Sequence, residues 1–344
     1  MQSEHSKPVV IWLLSVCALI FFMIILGGVT RLTESGLSMV NWHPVTGWLP
    51  PLDQVTWEQV FADYRQSPEY RKVNAGMIVG EFKSIFWLEY LHRLLGRLVG
   101  IAFLVPMLAF AALGWIRGAL LGKVIGLFIL GGLQGVLGWY MVKSGLVDRP
   151  DVSQYRLAAH LGLALVILGA IEWVALGLIK PIPAPGGDVA SRRFSRAAWA
   201  LLGLICVTIL SGAFVAGLDA GHIYNTFPLM DGQLIPDGLG DLSPPWLNVF
   251  ENIMTVQFDH RLLAISVLIF VGIFWWRTAE AGLTDGQRLA VRVLVAVCAV
   301  QVGLGISTLL LVVPVPLAAL HQAGAVALLV VIIWLMHELR PERL

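Results

Sequence analysis

The chain has 344 residues, of which 58% are hydrophobic and only 13% are charged, and its mean hydropathy is +0.80. A soluble domain carries about twice that fraction of charge, so most of this surface is expected to face lipid. The formal net charge of +1 argues against nucleic acid as a partner. The three cysteines lie in separate apolar runs, which excludes a disulfide framework and a CxxC motif.

Eight apolar runs reach or approach the length that crosses a bilayer. They cover residues 9–29, 85–116, 124–142, 157–179, 197–218, 253–276, 293–312 and 317–336. The first run is longer than the apolar part of a signal peptide, so we expect it to be retained. The sequence therefore predicts an all-α membrane protein with eight transmembrane helices.

The distribution of lysine and arginine predicts the orientation of these helices. The predicted outer loops at 219–252 and 313–316 contain neither residue. The segments on the opposite side of the membrane are basic. The positive-inside rule then places both termini in the cytoplasm. The chain starts without an Arg/Ser-rich import presequence, which favours the bacterial inner (plasma) membrane.

The two halves of the chain repeat each other. His92-Arg93-Leu94-Leu95 opens the second run and His260-Arg261-Leu262-Leu263 opens the sixth, while His160 and His321 begin the fourth and eighth. The third and seventh runs share a Gln-x-x-x-Gly pattern, at 134–138 and 301–305. This repetition predicts two tandem pseudo-symmetric four-helix bundles, at 1–180 and 197–344.

Histidines within membrane spans are costly and suggest function. The four are His92, His160, His260 and His321. Zinc sites recruit more ligands, and di-iron sites need several glutamates. Two imidazoles that bind iron from opposite faces of a macrocycle are typical of a b-type haem. The absence of a CxxCH motif excludes covalent attachment of the haem. We therefore predict one histidine pair per bundle as haem ligands; the alternative is that the histidines only hydrogen-bond neighbouring helices.

Three residues near these histidines are further candidates. Arg93 and Arg261 suit haem propionates, and the alternative is that they extend to the lipid headgroups. Glu89 stands three residues before His92, where the second half has Gln257. A carboxylate at that position can relay protons or stabilise positive charge, unless it only pairs with Arg93. The asymmetry predicts reaction in the first half and electron supply in the second.

The segment Gly27–Met39, Trp42 and the motif Glu89-Tyr90-Leu91-His92-Arg93 closely resemble haem A synthase, and the resemblance extends from the first helix to the last. It implies an oxidoreductase acting on a CH or CH2 group, which oxidises the C8 methyl of haem O to a formyl group, making haem A for cytochrome oxidase. It further implies that His92 and His160 hold the iron of the haem O substrate, that His260 and His321 hold a haem b cofactor, and that Glu89 is catalytic.

Some bacterial members of that family have a cysteine pair in the first outer loop. This loop has none, so the chain resembles the alphaproteobacterial and mitochondrial subtype. The expected partners are haem O synthase, cytochrome oxidase assembly factors, membrane lipid and an electron donor that the sequence does not identify. A homo-oligomer is compatible with the sequence.

Two other functions were weighed. An electron-transfer cytochrome with two bis-histidine b haems would have the same ligand set, but Glu89 and the long first loop favour the enzyme. A transporter would need polar or broken helices at the membrane centre, where this chain has Leu, Val, Gly and Ala.

The loop between Thr30 and Ser84 contains Trp57, Val60, Phe61 and Tyr64 at helical spacing. This stripe predicts an interfacial amphipathic helix lying over the first bundle.

Overall fold

A computed structural model describes residues 6–42, 47–146, 152–180 and 189–340. The helices in these ranges are α1 (Ser6–Leu32), α2 (Gln54–Tyr64), α3 (Pro68–Lys72), α4 (Val79–Ala112), α5 (Gly118–Gly145), α6 (Gln154–Ile179), α7 (Val189–Gly217), α8 (Asn248–Glu251), α9 (Ile253–Thr278), α10 (Asp285–Leu310) and α11 (Val315–Glu338). In the described residues, eight helices are long and apolar enough to cross a membrane: α1, α4, α5, α6, α7, α9, α10 and α11. The predicted all-α membrane fold with eight spans is confirmed.

Most spanning helices begin earlier than their apolar runs suggested, and α4 and α10 show why. The helix α4 has 34 residues, so it is about 51 Å long, and His92 lies well inside it rather than opening it. Its first turn is capped because the Glu81 carboxylate accepts a hydrogen bond from the backbone N–H of Ile78, at 3.0 Å. The helix α10 starts with a capping box formed by Thr284 and Gln287. Such caps fix where a helix begins but are polar, so hydropathy does not register them.

The chain forms two compact units, and we call Ala18–Ala164 the first unit. Here α2 packs on α4 through an aromatic cluster that includes Trp57, Tyr64 and Phe82. The rings of Tyr64 and Phe82 stack with their centroids 4.9 Å apart. Asp53 caps α2 by accepting a hydrogen bond from the backbone N–H of Thr56. The predicted helix at this stripe is therefore present, and its aromatic face is buried against protein.

The second unit comprises Met1–Cys17 and Leu165–Leu344. In it α7 packs against α9 and α10 against α11, with further packing between α7 and α11 and between α9 and α10. An ion pair between Lys180 and Glu338, at 2.7 Å, joins the end of α6 to the end of α11. The predicted domain boundaries at 180 and 197, the tandem relation of two bundles and the cytoplasmic termini stay predictions.

Candidate functional site

In the first unit, both histidines lie with their imidazole rings against a glycine of another helix. A Cβ atom added to Gly27 of α1 would lie 2.9 Å from Cε1 of His92 on α4. One added to Gly138 of α5 would lie 3.0 Å from Cε1 of His160 on α6. Both distances are shorter than a carbon–carbon contact allows, so only glycine leaves room for these rings. We call such a contact a glycine cradle.

The second unit has the same arrangement. A Cβ atom on Gly212 of α7 would lie 3.1 Å from Cε1 of His260 on α9, and one on Gly305 of α10 would lie 2.8 Å from Cε1 of His321 on α11. Each of the four histidines thus sits in a glycine cradle supplied by another membrane-spanning helix. All four histidines are half-buried, and a position whose surface is shaped around one ring holds that ring in a fixed orientation, as a metal ligand requires.

The two rings of the second unit face each other at a spacing that suits an iron ion between them. The ring centroids of His260 and His321 are 6.5 Å apart and the ring planes are perpendicular, at 88°. Two imidazole nitrogens, each about 2 Å from a shared metal, place the ring centres roughly 6 Å apart. These residues therefore fit bis-histidine ligation of a haem. In the first unit, His92 and His160 lie close enough to interact electrostatically.

The hydrogen bonds of His260 leave one ring nitrogen available for a metal. Its Nδ1 lies 2.8 Å from the hydroxyl oxygen of Ser211. That hydroxyl donates its own hydrogen to the carbonyl oxygen of Thr208, at 2.8 Å, so it accepts from Nδ1–H of the imidazole. The proton on Nδ1 leaves the lone pair of Nε2 free, which is the usual tautomer of a metal-ligating histidine.

Two glutamines hold the other ligands in equivalent ways. The side-chain nitrogen of Gln301 lies 3.1 Å from Nδ1 of His321, and that of Gln134 lies 3.2 Å from Nδ1 of His160. The Gln-x-x-x-Gly repeat therefore brings a glutamine and a cradle glycine to the same ring. Sequence analysis found the repeat without assigning these residues a role, although the spacing of four, one helical turn, already put them on one helix face. Nδ1 of His92 is buried and has no hydrogen-bond partner among the described residues.

Glu89 is buried and receives hydrogen bonds on both carboxylate oxygens. Its Oε2 accepts from the hydroxyl of Ser38 and the backbone N–H of Met39, each at 2.7 Å. Its Oε1 accepts from Nε of Arg93 at 3.0 Å and forms an ion pair with the same guanidinium. The pairing with Arg93 that sequence analysis kept as an alternative is present, and it fixes the carboxylate one turn from His92.

Gln257 occupies the equivalent place in the second unit, but it donates hydrogen bonds to its loop where Glu89 accepts them. Its side-chain nitrogen donates to the carbonyl oxygens of Ala220 and Ile223, at 2.9 and 2.5 Å. Its side-chain oxygen accepts from Arg261 at 3.1 Å. The amide therefore ties α9 to the long loop that follows α7, without a charge.

The two arginines also bind their long loops. Arg93 donates from Nη1 to the carbonyl oxygen of Asn41 at 3.1 Å. Arg261 donates from Nη2 to Tyr224 at 2.5 Å and from Nη1 to Thr226 at 2.8 Å. These contacts hold both guanidinium groups within the protein. Nε of Arg261 is buried with no hydrogen-bond partner in the described part of the chain.

A cavity of about 350 Å³ lies beside Arg93 in the first unit. Its lining includes Trp42, Arg93, Trp139 and Lys143. The guanidinium carbon of Arg93 lies 4.8 Å from the ring centroid of Trp42, and Nζ of Lys143 lies 5.3 Å from that of Trp139. Two cations held by aromatic rings make this cavity suited to carboxylate groups. Sequence analysis missed Lys143, whose position at the end of a span next to a tryptophan was the available signal.

Within the described ranges, no group of three or more His, Cys, Asp and Glu side chains could hold a metal ion. Each unit instead holds two of the histidine imidazoles. Pairs of this kind match haem ligation better than the zinc or di-iron sites that sequence analysis weighed.

Comparison with known proteins decides the family. The family model COX15-CtaA, described as cytochrome oxidase assembly protein, matches residues 10–333. The chain belongs to this family. It is 53% identical over 337 residues to "Heme A synthase" of Nitrosospira multiformis, covering 98% of this chain and 95% of that protein.

Other COX15-CtaA relatives extend the similarity to alphaproteobacteria and mitochondria. The chain is 50% identical to "Heme A synthase" of Rhodospirillum centenum, over 99% of this chain and 90% of that protein. It is 47% identical to "Heme A synthase COX15" of Homo sapiens, over 96% of this chain and 82% of that protein. The resemblance inferred from the motifs is confirmed over nearly the whole chain.

Proposed function

We propose that the chain is a haem A synthase, an oxidoreductase that oxidises the C8 methyl group of haem O to a formyl group. The observation that carries this proposal is an identity of about half the residues, over nearly the full length, with proteins named heme A synthase. The site supports it, because each unit holds two histidines in glycine cradles. The product would serve the assembly of cytochrome oxidase, as the family description implies.

The two histidine pairs divide the work in this proposal. His260 and His321, whose rings are 6.5 Å apart, hold a resident haem b. That haem supplies an iron that can change its oxidation state by one electron. His92 and His160 hold the iron of the substrate, haem O. In this proposal both units bind a haem, and the first unit oxidises the methyl group.

The cavity beside Arg93 serves as the place for the carboxylates of the substrate. Haem O carries two propionates, and Arg93 and Lys143 present cations to this cavity. Charge-assisted hydrogen bonds from such groups would fix the macrocycle in its plane and orient its methyl edge. Arg261 has the same role toward the propionates of haem b, with its buried Nε as the available donor.

Glu89 is the proton acceptor in this proposal. Oxidising a methyl group to an aldehyde removes hydrogen and adds an oxygen atom that comes from outside this chain, and a base close to the reacting carbon would take up the protons released. Glu89 is buried one helical turn from His92, and Ser38, Met39 and Arg93 hold it in one orientation. The carboxylate therefore stays in place while the substrate binds and leaves.

The proposed setting is the bacterial inner membrane. Haem O synthase would supply the substrate, and assembly factors of cytochrome oxidase would receive the product. The remaining partner would be an electron donor. Homo-oligomerisation stays a hypothesis.

Pigment analysis tests the proposal. The protein would be purified from cells that also produce haem O, and its non-covalent haems would be extracted and separated. We expect haem b together with haem O and haem A, and no haem A from the His92→Ala variant. Haem b as the only pigment, in cells shown to contain haem O, would instead favour the electron-transfer cytochrome.

A further inference from the structure

The first long loop contains a buried carboxyl group that the proposed function leaves without a role. Glu69 lies in α3 and is only 4% exposed. Its Oε2 has no hydrogen-bond partner among the described residues. Burying a carboxyl group without a compensating cation is costly, so its presence in a polar loop needs a reason.

The other contacts of Glu69 allow it to hold or release a proton. The hydroxyl of Tyr64 hydrogen-bonds the Glu69 carboxyl. The side-chain nitrogen of Asn74 donates to the same hydroxyl oxygen at 2.7 Å, so the hydroxyl can donate its own hydrogen to Glu69. Tyr64 is fully buried and stacks on Phe82 of α4. This packing holds the carboxyl group rigidly against the helix that carries Glu89.

The charges that face Glu69 are negative. They come from Glu89 on α4 and from Glu34, which follows α1. Burial contributes most, followed by Glu89 and then Glu34, and together they raise the pKa of Glu69 to about 8. A carboxyl group with that pKa exchanges protons readily near neutral pH. The dependence on Glu89 also means that a proton gained by one group weakens proton binding by the other.

A recess lies beside the segment that directly precedes Glu69. It has a volume of about 260 Å³, and its lining includes Asn41, Asp63, Ser67 and Pro68. Ser67 and Pro68 directly precede Glu69, while Asn41 accepts a hydrogen bond from Arg93, the partner of Glu89. The side chain of Asp63 is exposed, so the recess reaches the solvent. Water therefore has access to the segment that directly precedes Glu69.

We propose that Glu69 passes protons from Glu89 to the aqueous phase at the first long loop. This inference rests on the proposed function, in which Glu89 accepts protons from the substrate. When Glu89 is protonated its negative charge is gone, so Glu69 releases its proton to water. The proton on Glu89 then moves to the Glu69 carboxylate, and Glu89 is again a base. Each step moves one proton and no electrons, and Glu69 acts through Glu89 without contacting the substrate.

The first test replaces Glu69 by glutamine, which keeps the volume and can still accept the hydrogen bond from Tyr64. We expect Glu69→Gln to keep its haem content and lose roughly tenfold or more in turnover, within the range of general acid–base effects. The dependence of turnover on pH near pH 8 should disappear, and added formate should restore part of the rate. The control is Glu58→Gln, which changes an exposed carboxylate of α2 that hydrogen-bonds Gln54. Turnover and pH dependence like those of the control would overturn the proposal.

The second test does not depend on activity. Infrared difference spectra of the protein, titrated through pH 8, should show a protonated carboxyl band that is lost as the pH rises. The band should be present in Glu58→Gln, absent in Glu69→Gln, and lost at lower pH in Glu89→Gln, because one negative charge is removed. A band whose titration does not respond to Glu89→Gln would overturn the coupling. If the wild-type protein made no haem A, the proposed function would fail while this measurement would still report on the coupling.

Discussion

In each unit, one side chain three residues before a histidine hydrogen-bonds the helix to a long loop. The side chain accepts these hydrogen bonds in the first unit and donates them in the second. In the first unit, the Glu89 carboxylate accepts hydrogen bonds from Ser38 and from the backbone of the loop. In the second, the Gln257 amide donates to loop carbonyls such as that of Ala220. Both units thus fix the loop, and only the first does so with a charge. An amide is sufficient for holding a loop, so the carboxylate of the first unit is available for chemistry.

This comparison explains how two similar units can have different tasks. All four histidines share the glycine cradles, and we propose that these cradles support haem binding in both units. The first unit alone adds Glu89 and the two cations of its cavity, Arg93 and Lys143, and we propose that these residues bind the substrate and accept its protons. We therefore expect changes to the shared features to affect binding in each unit, and changes to Glu89 to affect turnover more than haem binding.

The largest effect should follow from removing a ligand. His260→Ala should abolish tight binding of haem b, because it removes one of the two imidazoles that face each other there. His92→Ala should leave haem b in place and abolish formation of haem A. Absorption spectra and extracted haem content measure both. The control is His222→Ala, an exposed histidine of the second long loop. Loss of the same single haem from the variants of both units would contradict two separate sites.

The second effect concerns the charge that distinguishes the units. Glu89→Gln should lower turnover by roughly 10²–10⁴, the usual contribution of a general base. The new amide can accept from Ser38 and Met39 with its oxygen, but its nitrogen then faces the guanidinium of Arg93. We therefore expect some loosening of the loop, with the haem of the second unit unaffected.

The reciprocal variant is Gln257→Glu. A carboxylate there would face the carbonyl oxygens of Ala220 and Ile223, which cannot donate, so the loop contact should weaken without any gain of activity. Turnover and haem content, measured on one preparation of each variant, separate the two effects. Haem loss in parallel with turnover in Glu89→Gln would show that Glu89 only shapes the pocket.

The parts of this site that the sequence predicted are those with a signal inside one helix. Imidazoles in apolar runs, and the Gln-x-x-x-Gly repeat, stand out because few polar residues tolerate lipid. The loop contacts of Glu89 could not be predicted, since Ser38 and Met39 come from a segment some 50 residues earlier in the chain. Glu69 also escaped notice, because a buried carboxyl group and an exposed one look alike within a polar loop.

A third effect should come from the glycine cradles. Gly305→Ala would place a methyl carbon 2.8 Å from Cε1 of His321, and Gly138→Ala would place one 3.0 Å from Cε1 of His160. Overpacking of this kind costs about 1–3 kcal/mol, which corresponds to roughly 5- to 150-fold in retention of haem if the whole cost falls on haem binding. The first variant should weaken the binding of haem b, and the second should weaken the binding of haem O. Haem content after dialysis against a haem-binding competitor measures the effect.

Each helix provides a matched control for its cradle. A Cβ atom at Gly303 of α10 or at Gly135 of α5 would meet nothing within 4 Å apart from its own helix. Alanine at these positions should favour the helix by about 1 kcal/mol and leave haem binding unchanged. Equal haem retention in Gly305→Ala and Gly303→Ala would show that the ring can move aside, and that the cradle does not position the ligand.

The smallest effect is a pH dependence of local opening in the first long loop, near α3. Burial raises the pKa of Glu69 from its ordinary value to about 8, so the folded loop binds its proton more tightly than the unfolded loop does. The stabilisation is fully present below the ordinary carboxyl pKa and is lost as the pH rises through about 8. Local opening near α3 should therefore become more frequent between pH 6 and pH 9, while Glu69→Gln should not respond. Tryptic cleavage at the exposed Arg71 and Lys72 reports this opening. Dividing the cleavage rate of the wild-type protein by that of Glu69→Gln at each pH cancels the pH dependence of the protease. A ratio that stays constant from pH 6 to pH 9 would mean that Glu69 does not titrate in this range, which would also remove the basis for its role as a proton carrier.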